Sequence, residues 1–261
     1  RLRVHWHAGD LADHEALAQL VAGAETVVHI AGVTSSHDYD QFEQGNVVGT
    51  LNLICAARAA GVKRFVFVSS LAAREPGLSV YGASKARAEK LVRASGLEWT
   101  IVRPPAVYGP GDRDMFELFR AARWGVVPVP GRGRTSVIHV QDLARLLMAI
   151  AADEGESVGR VFECDDGVAN GWSHRDLARA IAHAVGRRHA LVLGQSRGTM
   201  MLAARAARLL RGDKARLTID RASYFAHPDW VVAKRVAVPE SLWRPRIETR
   251  AGLKATAGWY R

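Results

Sequence analysis

Tyr81-Gly-Ala-Ser-Lys85 is the sharpest chemical pattern in the sequence. On a helix, residues i and i+4 share a face, so this spacing puts an ammonium beside a phenol. The cation favours phenolate and lowers a pKa that starts near ~10. A phenol tuned toward neutrality takes a proton from an alcohol or gives one to a carbonyl. A surface Tyr–Lys pair is the plain alternative, and two features weigh against it. Only six of the 36 basic residues are Lys, the rest being Arg, so a Lys at this spacing is a scarce residue well placed. The helix carrying the pair also follows the apolar run Arg64–Val68, which leads into Ser69-Ser70. Open α/β sheets bind ligands at the carboxyl ends of their strands. A serine there can hydrogen-bond the oxygen that Tyr81 would protonate, although turn chemistry is the other common use of such serines.

The elements that must position these residues follow from hydrophobic periodicity. Residues 2–7 alternate like a strand already in progress. Asp13–Ala22 reads as a helix capped by Asp13, with Leu17, Leu20 and Val21 on one face. Thr26–Ala31 reads as a strand and Gln41–Ala60 as a long helix stopped by Gly61. Arg64–Val68 has the unbroken apolar pattern of a strand buried on both faces. Ser79–Ala94 is a helix, Trp99–Val102 a strand, Asp114–Trp124 a helix, Ser136–Val140 a strand and Gln141–Ala151 a helix. Strands alternating with crossover-length helices predict an open, doubly wound parallel sheet. The texture changes near residue 155. Val161–Cys164 and Ala190–Leu193 read as short strands, Ser173–Val185 as a capped helix and Thr199–Leu210 as a basic amphipathic one. The expected organisation is residues 1–154 as the sheet domain and 155–261 mainly as a smaller α+β domain.

Composition excludes several classes. At 48% hydrophobic residues the chain has core material for a folded protein. No apolar run reaches the ~18 residues of a spanning helix, so no integral membrane span is expected. Net charge is +10, but the arginines are spread along the whole chain rather than clustered with aromatics, and no nucleic-acid partner is expected. Cys55 and Cys164 are too few for a disulfide framework and fit a reducing, cytoplasmic setting. His5 and His7 share strand spacing without a third ligand nearby, so no metal site is expected. Asp165-Asp166 reads as a turn. The Arg-rich stretch 204–211 is either a solvated face or a contact for acidic lipid or a partner helix.

Seven ordered segments together resemble the extended short-chain dehydrogenase/reductase superfamily, the NAD-dependent epimerase/dehydratase group. They are Gly9-Asp10-Leu11, Val28-His29-Ile30-Ala31-Gly32, Asn46-Val-Val-Gly49-Thr50, Phe65-Val-Phe-Val-Ser69-Ser70, Tyr81-x-x-x-Lys85, Val102–Asp112 and Ile138–Ala144. The match is strong over residues 3–145 and loose over 155–261. The resemblance implies a Rossmann-like fold with a C-terminal substrate domain, NAD or NADP as cofactor and a small-molecule substrate, and it leaves a homodimer open. It makes Tyr81 the general acid/base and Lys85 its pKa tuner, which also holds the nicotinamide ribose. Ser70 would orient the substrate oxygen, with Ser69 as the fallback. Asp10 and Leu11 would flank the adenine. Ala31 and Gly32 would let the backbone pass close to the cofactor. Asn46 would hold the helix and water geometry near the site, and Pro104 and Val107 would pack near the nicotinamide.

One departure is large. The family opens with a strand, a Gly-x-x-Gly-x-x-Gly turn and a helix whose N-terminus holds the pyrophosphate. This sequence has no such glycine triplet, and residues 2–7 align with the family's third strand. The expectation is an N-terminally incomplete sheet, truncated rather than degenerate, because the remaining site residues are intact. The segment Ser69-Ser70-Leu-Ala-Ala-Arg74 lacks the carboxylates of a sugar dehydratase. Hydride transfer between nicotinamide and a hydroxyl/carbonyl pair is therefore the expected activity. The alternatives are a nucleotide-sugar epimerase and a non-catalytic dinucleotide-binding accessory protein.

Overall fold

A computed structural model describes residues 4–260 apart from Glu154, Asp213, Lys214 and Arg216. Its contacts divide the chain into two compact units, residues 1–102 with 150–161 and residues 103–149 with 162–261.

The first unit is built around a four-stranded sheet. Helix α1 (His14–Val21) is capped by the Asp13 carboxylate, which accepts from the Ala16 N–H at 2.9 Å. Strand β1 (Thr26–His29) follows. A helical rod then runs through Asp40–Phe42, a π-helical segment Glu43–Val48, and α2 (Gly49–Ala59). Strand β2 (Arg64–Val68) leads through a 3-10 turn, Leu71–Arg74, into helix α3 (Val80–Arg93) and strand β3 (Glu98–Arg103). β1, β2 and β3 pair in parallel, and the sheet order is β1-β2-β3 followed by the strand Arg160–Glu163. All five residues of β2 are buried, as a strand covered on both faces requires. Phe65 and Phe67 anchor a core with Leu17, Leu53, Ile54, Val92 and Ile101.

Two sequence expectations fail here. Val4–His7 form no strand, with Val4 65% and Trp6 91% exposed. Alternation alone does not make a strand; a ladder partner does, and these residues pair with none among the described residues. Residues 2 and 3 of the expected strand lie outside the described residues. Leu20 is exposed rather than on the buried face, because α1 packs on α2 through the i, i+4 pair Leu17 and Val21.

Two buried polar groups tie this unit together. Arg64 donates to the Glu98 and Ile150 carbonyls at 2.7 and 3.2 Å and to Thr100 Oγ1 and Ser157 Oγ at 2.6 and 2.7 Å, joining the start of the sheet to residues 150–157. His29 closes β1 against the Phe65 and Phe67 rings. Thr50 Oγ1 gives its proton to the Asn46 carbonyl at 2.6 Å, so it accepts from His29 Nε2–H at 2.9 Å. That bond fixes Nε2 as a protonated ring nitrogen.

The second unit contains strands β4 (Ala106–Tyr108), β5 (Val126–Pro130), β6 (Arg134–Thr135) and β7 (Val137–His139), with helix α4 (Phe116–Arg123) between β4 and β5. Helix α5 (Val140–Ala152) leads to β8 (Arg160–Glu163), the fourth strand of the first sheet. Then come β9 (Trp172–Ser173), α6 (His174–Ala184), β10 (Leu191–Gln195), α7 (Arg197–Arg211), α8 (Ile219–Phe225), β11 (Asp229–Trp230) and α9 (Thr249–Trp259). Its core gathers Tyr108, Phe119, Val127, Ile181 and Leu253. The aspartates 165 and 166 act as ties. Asp165 accepts from Ser136 Oγ at 2.6 Å, and Asp166 accepts from Trp172 Nε1 at 2.7 Å.

Burial, and secondarily the Lys85 charge, push the His29 pKa down to about 3. The unfolded chain therefore binds a proton between about pH 6.5 and 3 that the folded chain refuses. The stability from neutral His29 is complete above pH 6.5 and is lost as pH falls toward 3, about 2 kcal/mol of it by pH 5. Denaturant unfolding from pH 7 to 5 should show a shallower loss of stability in His29→Gln than in the wild type; identical slopes would contradict the assignment.

Candidate active site

Helix α3 places Tyr81, Lys85 and Glu89 one turn apart on a single buried stripe. Its start is fixed by Ser79, whose side chain accepts from the Gly82 N–H at 2.9 Å. Gly82 lets this first turn sit against the 3-10 turn that follows β2. A Cβ at Gly82 would stand 2.6 Å from the Ala72 carbonyl oxygen. The close approach brings the Tyr81 turn alongside the Ser70 turn. Ser70 caps the 3-10 turn, its Oγ accepting from the Ala72 N–H at 3.2 Å. A hydroxyl has one donor and two acceptor positions, so Ser70 keeps its proton for another acceptor. Ser70 is half-buried and Tyr81 buried, its ring 6.2 Å from that of Phe42.

Lys85 is buried, and its Nζ donates to the Val68 carbonyl at the end of β2 at 2.7 Å. The ammonium also lies 4.5 Å from the centre of the Phe67 ring. Burial pulls its pKa down to about 8, against the Glu89 carboxylate, which favours the charged form. Glu89 is itself buried and accepts from Ser69 Oγ at 2.6 Å. Ser69 is thereby committed to Glu89, which leaves Ser70 as the hydroxyl of the pair free of that bond.

Asn46 lies in the π-helical segment, an irregularity frequent at functional sites. Its amide grips Val33 twice. Oδ1 accepts from the Val33 N–H at 2.7 Å and Nδ2 donates to the Val33 carbonyl at 2.9 Å. Nδ2 also donates to Ser84 Oγ at 2.8 Å, and Ser84 Oγ donates to the Tyr81 carbonyl at 2.8 Å. The loop after β1 is thus pinned to the helix that carries Tyr81. In that loop Ala31 and Gly32 are exposed. A Cβ at Gly32 would stand 2.7 Å from Asn46 Oδ1 and 3.7 Å from Lys85 Nζ, so bare backbone is required beside the ammonium.

The adenine candidates are differently placed. Asp10 is exposed, and one carboxylate oxygen already accepts from the Ala12 and Asp13 N–H groups at 2.7 and 3.1 Å. Leu11 is half-buried over Gly49, and its carbonyl accepts from Asn52 Nδ2 at 2.9 Å. Pro104 and Val107 belong to the second unit. There Pro104 is buried and Val107 pairs with Ile138 across β4 and β7.

Sequence reasoning overlooked Glu89, Ser84 and His29. Glu89 was findable, since it continues the Tyr81–Lys85 stripe by another four residues. Ser84 and His29 matter through contacts with residues far along the chain, which no local spacing announces.

The site residues fit a dinucleotide's nicotinamide-ribose half. A polar cation stands beside an exposed, side-chain-free backbone, and a phenol lies on the same helix face. Residues 1–154 match the family described as NAD(P)H-binding. Over its whole length the chain is 36% identical to a ceramide reductase from Caulobacter vibrioides, of which it spans 81%. It is 30% identical to a UDP-glucose 4-epimerase from Vibrio cholerae over 59% of this chain and 54% of that protein. Among solved structures it resembles MoeE5 in complex with UDP-glucuronic acid and NAD, with a TM-score of 0.68 and 26% identity over 97% of this chain and 84% of that one. A UDP-glucuronic acid 4-epimerase from Bacillus cereus, also with NAD, shares the fold at a TM-score of 0.67 and 16% identity, over 96% and 79% of the two chains.

Glu89→Gln tests the stripe. The amide oxygen can still accept from Ser69, but the charge that holds Lys85 protonated is gone. Lys85 should lose its proton below about pH 8, and the basic limb of a pH–rate profile should move to lower pH. An unmoved basic limb would reduce Glu89 to a packing role.

Proposed function

Because the chain belongs to the NAD(P)H-binding family of the extended short-chain dehydrogenase/reductase superfamily, with its Rossmann-like α/β fold and its NAD or NADP cofactor, we propose that it is a reductase working through Ser70, Tyr81 and Lys85. The observation that carries this reading is the buried Tyr81–Lys85–Glu89 stripe against the end of β2, with Lys85 poised to titrate near pH 8. The bound nicotinamide supplies or accepts the hydride. Tyr81 gives its phenolic proton to the substrate oxygen during reduction, or takes one from the alcohol in the reverse direction. Lys85 stabilises the phenolate that results, and its ammonium has N–H groups left over after Val68 with which to hold ribose hydroxyls. Ser70 donates to the same substrate oxygen and orients it. Ala31, Gly32 and Asn46 keep the backbone wall of the ribose pocket in place. Asp10 and Leu11 take the adenine end, where the second Asp10 carboxylate oxygen is available to an exocyclic amine.

We assign dinucleotide binding to residues 1–154 and substrate selection mainly to 155–261. The family match covers the first range, and the ceramide reductase aligns through both. That whole-length likeness favours a ceramide-like lipid carbonyl over a nucleotide sugar. The epimerase aligns over 59% of the chain and spans about half of that relative's length. We place the protein in the cytoplasm, where the free thiols of Cys55 and Cys164 stay reduced. Among the described residues no helix is long and apolar enough to cross a membrane.

Tyr81→Phe keeps the ring and removes the proton. Turnover of reduced nicotinamide with a ceramide-like ketone should fall on the order of 100-fold, while dinucleotide binding by calorimetry stays near wild type. Wild-type turnover in Tyr81→Phe would remove the phenol from the mechanism. Interconversion of sugar epimers without net nicotinamide consumption would favour the epimerase instead.

A further inference from the structure

Helix α7 is covered on one side only. Met200 and Ala204 are buried against Ala222 of α8, with Met201, Leu217 and Phe225 closing the contact. The opposite side carries Leu202, Ala206 and Leu209 at i, i+4 and i+7, with Leu210 beside them. Leu202 is 67% exposed, Leu209 88% and Leu210 86%. Every charged residue of the helix is an arginine: 197, 205, 208 and 211. The charge is not local chance, because residues 177–212 contain seven arginines and neither Asp nor Glu. Leu191 and Leu193 of β10, just before α7, are exposed as well, at 60% and 43%.

We propose that α7 lies in the surface of an anionic lipid bilayer, its leucines in the acyl boundary and its arginines among acidic headgroups. The cover for this face must be apolar and negatively charged at once. A second copy of the chain would set the same acid-free arginine segment against itself. A nucleic acid would answer the arginines but leave the leucines in water, and α7 has no aromatic residue to stack on bases. A bilayer of acidic lipids answers both. Amphipathic helices with basic polar residues lie in this plane and bury their apolar side chains by ~5–10 Å. At 15 residues α7 offers about 22 Å of such contact. This docking does not depend on the substrate assignment above. It would bring a reductase for a membrane lipid to its substrate, but it is measured without substrate or cofactor, so its failure leaves the reductase reading untouched.

The test is co-sedimentation of the full-length protein with vesicles of equal parts phosphatidylcholine and phosphatidylglycerol, against vesicles of phosphatidylcholine alone. Binding should require the acidic lipid and weaken as salt is raised. Arg205→Gln with Arg208→Gln should lower partitioning about 30-fold, at roughly one surface-bound arginine's worth of attraction each. Leu209→Ser with Leu210→Ser should lower it at least tenfold. Both pairs replace exposed side chains, and unchanged thermal midpoints would show that the fold is intact. Equal binding to neutral vesicles, wild-type partitioning by both variants, or protein left in the supernatant would overturn the proposal. So would a wild-type dimer that the leucine variant converts to monomer in light scattering, because a second copy would then cover the stripe.

Discussion

A buried ammonium at the carboxyl end of a buried strand is the constraint around which the first unit is arranged. Taking the Lys85 charge out of water costs several kcal/mol unless it finds partners. The Val68 carbonyl at the end of β2 is one partner, and the Glu89 carboxylate a helical turn away is another. The Phe67 ring offers its face, and His29 next door is kept neutral rather than adding a second positive charge. Compensation is incomplete, since Lys85 still titrates near pH 8.

The backbone around this charge is shaped for close approach. Gly82 admits the 3-10 turn against α3, and Gly32 admits the β1 loop against Asn46 and the ammonium. Asn46 holds that loop with a donor and an acceptor to the same residue, Val33, as a neighbouring strand would. Asn46 itself sits on a π-helical turn. Ser84 then passes the restraint on to the Tyr81 backbone. Phenol, ammonium and bare loop are therefore one mechanical assembly resting on the Phe65–Phe67 core, not three independent side chains.

The second unit carries a different kind of information. Its hydrophobic core is closed around Tyr108, Phe119, Ile181 and Leu253, yet it keeps exposed leucines on β10 and α7 within an acid-free segment. Exposed single apolar residues are ordinary, but a helical stripe of them edged by arginine is a surface with a partner. A dinucleotide fold supplies hydride chemistry to many substrates. What distinguishes one member from another lies in such appended surfaces.

By itself the sequence determined the elements and the chemistry of the central helix. Tyr81-x-x-x-Lys85, the buried run Arg64–Val68 and the caps Asp13 and Ser173 are local patterns, and local patterns dictate local structure through periodicity and unsatisfied helix-end donors. It misjudged Val4–His7 because alternation needs a paired neighbour before it becomes a strand, and it turned Leu20 inward because periodicity does not say how wide a face a single packing helix will cover. Tertiary structure alone decided that Ser69 belongs to Glu89 and Ser70 to the turn, that Asn46 grips Val33, that Arg64 joins the sheet to residues 150–157, and that His29 is buried neutral. Each depends on groups distant in the chain meeting where water is excluded, and there an unpaired donor or charge is costly enough to select specific partners.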